Sequence, residues 1–171
     1  PQGADADGTI GHRGWFYHFL ELETGRRAWK CELSSIDTAL LLGGVLDAEL
    51  FFDGGHPDEG RIRDLAQRLV GRIDWNWMCN NADTFTMGWH PETGFIRSRW
   101  VGYNEGMLLY LLGLGAMNDP ARQAQAGTST PKFSWDGWTR GYRWETHHGQ
   151  SFVPFPPLFG HQYSHCWVDF R

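Results

Sequence analysis

The sequence predicts a mainly α-helical domain built from helix pairs, with a small β-hairpin among the connecting loops. Three observations carry this expectation. Ile62, Leu65, Ala66, Leu69, Val70 and Ile73 recur at helical spacing, with Arg61, Arg63, Asp64, Gln67, Arg68 and Arg72 on the other side. The apolar run from Ile36 to about Phe52 is preceded by Ser34-Ser35, residues suited to a helix start. Met107, Leu108, Tyr110, Leu111, Leu112 and Leu114 form a third segment, apolar nearly all round and therefore expected to be deeply buried.

Along the chain, Trp15 to Leu20 alternates aromatic and other residues, and reads as a strand or short helix ahead of the turn Glu23-Thr24-Gly25. In the helix from Ile36, Asp37 lies in the first turn, where its charge suits the helix dipole. Gly43-Gly44 weakens its middle and points to close packing against a neighbour. Phe52 to His56 is a loop, and Pro57 with Asp58 and Glu59 opens the next helix, completing an αα-hairpin. Met87 to Phe95 reads as a β-hairpin turning at Pro91 to Gly94. Asn104 is the expected N-cap of the third helix, which Asn118-Asp119-Pro120 ends. Ala121 to Pro131 reads as a polar loop, Ser134 to Tyr142 as a short helix, Phe152 to Pro157 as extended, and Leu158 to Phe170 as a final helix.

The 171 residues suit one domain. A formal charge of -5 and a pI near 5.9 leave no basic stripe for a nucleic acid. No stretch approaches the roughly 20 apolar residues of a membrane span. Cys31, Cys79 and Cys166 are widely spaced and read as free thiols rather than as a disulfide or zinc framework. His161 and His165 have the i,i+4 spacing of metal ligands, but no nearby acid completes a known motif, so hydrogen bonding is the expected role. No phosphate-cradling glycine motif appears, and neither metal nor cofactor is expected.

Ten Trp, eleven Phe and five Tyr make up 15% of the chain, and most of these rings are expected in the core. Trp75, Trp77, Trp89, Trp100, Trp135, Trp138 and Trp144 stand beside turn residues or charges, a setting that also suits stacking on sugar rings. Glycosyl transfer to water needs two carboxyl groups across the scissile bond. Glu105, in the first turn of a nearly all-apolar helix, is the strongest candidate; Glu32 and Asp37 flank the Ser34-Ser35 cap as a second acidic cluster. Glu92 reads as a turn residue, Asp53 and Asp58 as loop and helix-start residues, and His147-His148 as a solvated loop.

Several segments together resemble the bacterial glycoamylase-like domain family: Phe16-Tyr17-His18-Phe19-Leu20, the run Cys31 to Leu41, Met87-Gly88-Trp89, Gly102-Tyr103-Asn104-Glu105-Gly106 and Pro157 to His165. That family includes endo-β-1,2-glucanases and proteins described as glucoamylases. The resemblance implies an (α/α)6 toroid with a cleft at one end, an inverting acid/base mechanism on glucan, and a periplasmic or secreted setting. It implies catalytic roles for Glu105, Glu32 and Asp37, and substrate contacts for Trp89, Trp100, Tyr103, His161 and His165. The alternatives are a non-catalytic carbohydrate-binding fragment, a glucoamylase acting on α-glucan, and a transglycosylase of the same fold class. About five or six helices fall short of a full toroid, so residues 1–171 are expected to be one domain incomplete at both ends. Helix faces left without neighbours then predict self-association.

Overall fold

Ser34 decides where the first long helix begins. Its extended backbone and its Oγ, which accepts the Asp37 amide, cap helix α1 (Ser35–Phe51). His56 performs the same task for α2 (Pro57–Gly71), accepting the Asp58 amide ahead of Pro57. Arg63 donates to the carbonyls of Phe52 and Gly54 and fastens the loop between them, so the expected αα-hairpin forms. These contacts come from a computed structural model that describes residues 2–120 and 130–171. Of the expected polar loop at Ala121 to Pro131, residues 121–129 lie outside the described residues.

The architecture is mainly helical with small sheets. Strands β1 (Gly11–His12) and β2 (Trp15–Phe16) form a hairpin, which settles the open reading of Trp15 to Leu20. Strand β3 (Leu33–Ser34) pairs antiparallel with β4 (Gly88–His90), and β4 with β5 (Gly94–Phe95), the expected hairpin. Leu33 pairs with Trp89 and Ser34 with Gly88, tying the start of α1 to this sheet. A single turn, α3 (Trp75–Met78), escaped the sequence reading because four residues are too few to display a period. Its cap is Asp74, which accepts the Trp77 amide.

Helix α4 (Met107–Asn118) begins later than expected. Asn104 is not its N-cap: Gly106 occupies that position without a side-chain bond. Asn104 instead folds a tight turn, accepting the Gly106 amide at 3.0 Å and the Trp138 indole N–H at 3.3 Å. Helix α5 (Trp135–Thr139) is capped by Ser134 as expected. Strands β6 (Glu145–His147) and β7 (Gln150–Phe152) then form a hairpin where a loop was expected; its residues are all exposed, so no apolar alternation announced it. Helix α6 (Leu158–Trp167) closes the chain.

The core is aromatic. Trp15, Trp75, Phe85, Tyr110, Phe133 and Trp138 pack with Leu33, Leu42 and Leu109 between the helices and the small sheets. Tyr110 donates its hydroxyl to the Trp100 carbonyl and accepts the Phe85 amide, so even the polar tip of this buried ring is satisfied. Burial pushes the Tyr110 hydroxyl pKa well above its ordinary value.

Helices α1 and α4 meet at their starts. The Trp100 indole N–H bonds Ser35 at the start of α1, and the Trp100 side chain lies against Gly106 at the start of α4. Further along, Gly43 of α1 meets Leu108 of α4 and Trp167 at the end of α6. Deeper still, Leu42 and Leu46 share a cavity of about 230 Å³ with Leu111, Leu112, Gly115 and Ala116. The close packing expected of the glycine pair falls on Gly43 alone; a Cβ on Gly44 would meet open space. At the other end of α6, His161 stacks on Tyr103 at 4.9 Å. The starts of α1 and α4 therefore meet at Trp100, and His161 of α6 lies beside them on Tyr103. Leu41, Leu50, Phe51, Leu65, Leu158 and Phe159 keep exposed apolar side chains on the outer faces. No described helix is long and apolar enough to cross a membrane.

Candidate functional site

The two acids flanking the cap converge on one ring. His18 follows the β2 hairpin, where its amide bonds the Glu32 carbonyl at 2.9 Å. This pairing turns the imidazole across the start of α1. His18 Nδ1 lies 2.8 Å from Glu32 Oε1 and Nε2 lies 3.3 Å from Asp37 Oδ2. Ser34 Oγ also donates to Asp37 Oδ2 at 2.5 Å, so the helix cap adjoins the acidic cluster.

Burial pushes the Glu32 carboxyl pKa up. The opposing effects are a hydrogen bond from its own backbone, the His18 hydrogen bond, and the charges of His18 and His90; together they outweigh burial and hold Glu32 below the ordinary carboxylate range.

A tight packing contact fixes Glu32 from behind. Gly88 of β4 lies against the Leu33 carbonyl, and a Cβ placed on it would stand 2.9 Å from Glu32 Cγ. Nearby, the Arg27 guanidinium is 3% exposed and makes a two-pronged bond to Glu92 at 2.6 and 3.1 Å. It also covers the Tyr17 ring at 4.7 Å and donates Nε to the Cys31 carbonyl at 2.7 Å. Glu92, expected to be a turn residue, is thus the counter-ion of a buried cation. The Arg27 hydrogen bond, with one from its own backbone, holds the Glu92 carboxyl down at about 2.

Glu105 stands apart from this trio in its bonding. It lies in the turn 103–106 ahead of α4, and its Oε2 is buried without a hydrogen-bond partner. A buried carboxylate oxygen left unsatisfied is costly, and such atoms concentrate where a ligand or substrate completes them. Trp100 connects the two places, being bonded to Ser35 on one side and packed against Gly106 on the other.

The other sequence candidates divide. Tyr103 and His161 stack on each other beside the Glu105 turn. His165 lies one turn further along α6 and packs on Phe170 instead, at 4.7 Å. Trp100 is 7% exposed with its indole N–H spent on Ser35, so its ring is a core wall between α1 and α4. Trp89 is half-buried, stacked on His12 at 5.5 Å and edge-on to Trp77. Among the described residues, no group of three His, Cys, Asp or Glu side chains is arranged to hold a metal. Sequence reasoning overlooked His18. Its only signal was its place within the aromatic run Phe16 to Phe19, where a polar residue asks for a partner that the linear sequence does not name.

Comparison with known proteins agrees with this architecture. The glycoamylase family pattern, described as "Putative glucoamylase", matches residues 97–171. An exo β-1,2-glucooligosaccharide sophorohydrolase (non-reducing end) of Parabacteroides distasonis is 28% identical over 82 residues, which are 46% of this chain and 11% of that protein. A "putative glucoamylase" from Bacteroides caccae superposes with a TM-score of 0.69 at 24% identity, covering 89% of this chain and 38% of that one. The endo-β-1,2-glucanase of Chitinophaga pinensis, solved with sophorotriose and glucose, superposes with a TM-score of 0.64 at 20% identity, covering 82% and 34%. The chain therefore spans well under half the length of each of these proteins.

Proposed function

We propose that this chain, which belongs to the glycoamylase-like domain family and carries part of its domain, serves a glycoside hydrolase acting on β-1,2-linked glucan by an inverting acid/base mechanism. The observation that carries the reading is the pair of acidic places joined by Trp100. On one side is the His18–Glu32–Asp37 unit; on the other is Glu105 with its buried, unpartnered Oε2.

In this reading Glu105 is the proton donor, because Oε2 has no protein partner and can meet the leaving glycosidic oxygen. Glu32 or Asp37, with His18 to hold the proton taken from water, acts as base on the opposite face of the sugar ring. Tyr103 and His161 wall the cleft beside Glu105, and Trp89 stands beyond Glu32 across the β3–β4 pairing. In this reading α1, α4 and α6 are inner helices of an (α/α)6 toroid, with α2 on the outside. Residues 1–171 form one part of that single domain, and the family resemblance favours a periplasmic or secreted setting.

Glu105→Gln tests the reading. The full-length protein should release short oligosaccharides from linear β-1,2-glucan, and the substitution should lower the rate by about 10²- to 10⁴-fold, the share of a positioned general acid. Unchanged hydrolysis removes Glu105 from the chemistry. Cleavage of neither β-1,2-glucan nor starch by the unaltered protein overturns the hydrolase reading. Cleavage of starch alone would favour an α-glucan glucoamylase, the alternative to which the description of the matching family pattern points.

A further inference from the structure

An exposed tryptophan stands near the acidic unit. The turn Ala28–Cys31 is closed by the Cys31 amide bonding the Ala28 carbonyl at 3.4 Å. It is clamped from within by Arg27, whose Nε bonds the Cys31 carbonyl and whose guanidinium is anchored on Glu92 and Tyr17. Trp29 sits at the corner with φ of +51°. That conformation suits glycine or asparagine and is strained for a bulky side chain. The ring gains no burial in return, being 81% exposed.

The strained ring is continuous with the candidate site. Trp29 meets Phe19 edge-on at 5.3 Å, and Phe19 is itself 45% exposed. Phe19 stacks on the His18 imidazole at 4.1 Å with 14° between the planes. His18 in turn holds Glu32 and Asp37. Trp144 is also an exposed indole, but it adjoins the β6–β7 hairpin and has no such path to the carboxylates.

We propose that Trp29 and Phe19 form a saccharide-stacking subsite, which takes a pyranose ring of the same glucan chain whose scissile bond lies at the His18–Glu32–Asp37 unit. This rests on the glucan reading above. The apolar C–H face of a pyranose matches a flat, exposed indole, and a rigid turn presents that indole at little entropic cost on binding. The occupant is a sugar because the strip leads from the rings straight to the carboxylates.

The test uses the full-length protein carrying Glu105→Gln, so that ligand is not consumed, with linear β-1,2-gluco-oligosaccharides titrated calorimetrically. Adding Trp29→Ala should weaken binding about tenfold, and Trp29→Phe should stay within about threefold. Trp29→Gly should weaken binding as the alanine does, while Tm holds or rises because glycine relieves the positive φ. Unchanged affinity in Trp29→Ala overturns the subsite, and so does a Trp29→Gly protein that melts early, since a packing role would then explain the ring. If the Glu105→Gln protein binds no gluco-oligosaccharide before Trp29 is altered, the glucan reading itself falls, and the subsite with it.

Discussion

Replacing Gly88 by alanine tests whether the placement of Glu32 matters, because the contact involved is so close. The new methyl would stand 2.9 Å from Glu32 Cγ and 3.3 Å from its Cβ, and closer still to the Leu33 carbonyl oxygen. Ordinary contact begins at 3.4 Å, so β3 must part from β4 by about 1 Å at the Leu33 carbonyl and Glu32 must retreat by at least about half an ångström. Overpacking of this kind costs about 1–3 kcal/mol. In a chain of this size each kcal/mol lowers Tm by about 2–4 °C, so a fall of roughly 2–12 °C is expected. Catalytic groups tolerate about half an ångström of error, and a displacement of about 1 Å can cost about a hundredfold. Hydrolysis of β-1,2-glucan should accordingly drop by about tenfold to a hundredfold, well below the melting temperature of the variant. The measurements are a thermal melt and the initial rate of oligosaccharide release. A lower Tm with an unaltered rate would refute the role given to Glu32, and an unaltered Tm would refute the contact itself.

Two further predictions follow from the charged groups. His18→Ala removes the hydrogen bond and charge that help to hold Glu32 down, so the acid limb of the pH–rate profile should move to higher pH; His18→Gln, which keeps one hydrogen bond, should move it less. An unmoved acid limb in both variants would detach His18 from Glu32. Glu92 has a depressed pKa in the fold, so its contribution is present above the ordinary carboxylate pKa and lost as pH falls towards about 2. Melts between pH 6 and about 2.5 should therefore show a stability loss that Glu92→Gln lacks in part, the variant being the less stable at neutral pH. Equal pH slopes for the two proteins would contradict the Arg27–Glu92 pairing.

The helices were readable because their signals are local. Ser34 caps α1, Pro57 opens α2, and Ile62, Ala66, Leu69 and Val70 mark its inward face while Leu65 of the same period stays exposed, all within a few residues of chain. The β4–β5 hairpin announced itself by Pro91 to Gly94 in the same way. Where a signal was read with a local rule but answered to a distant partner, it misled. Asn104 has the composition of a helix cap, yet Trp138 draws its oxygen into a tight turn, and α4 starts at Met107. Trp100 looked like a ring beside a turn, yet Ser35, 65 residues away, takes its indole N–H into the core.

The candidate site divides along the same line. Sequence by itself determined that Asp37 stands in the first turn of α1, fixed by its distance from the Ser34 cap, whereas Glu105, expected in the first turn of its helix, stands ahead of the Gly106 cap. Only the tertiary structure decided that Glu32 and Asp37 share His18, that Glu92 belongs to Arg27, and that Trp29 stands strained and open at the end of the same strip. Helix propensity and capping act over three or four residues, whereas charge pairing and aromatic stacking act through space. Partners brought together by folding leave no periodic mark on the chain.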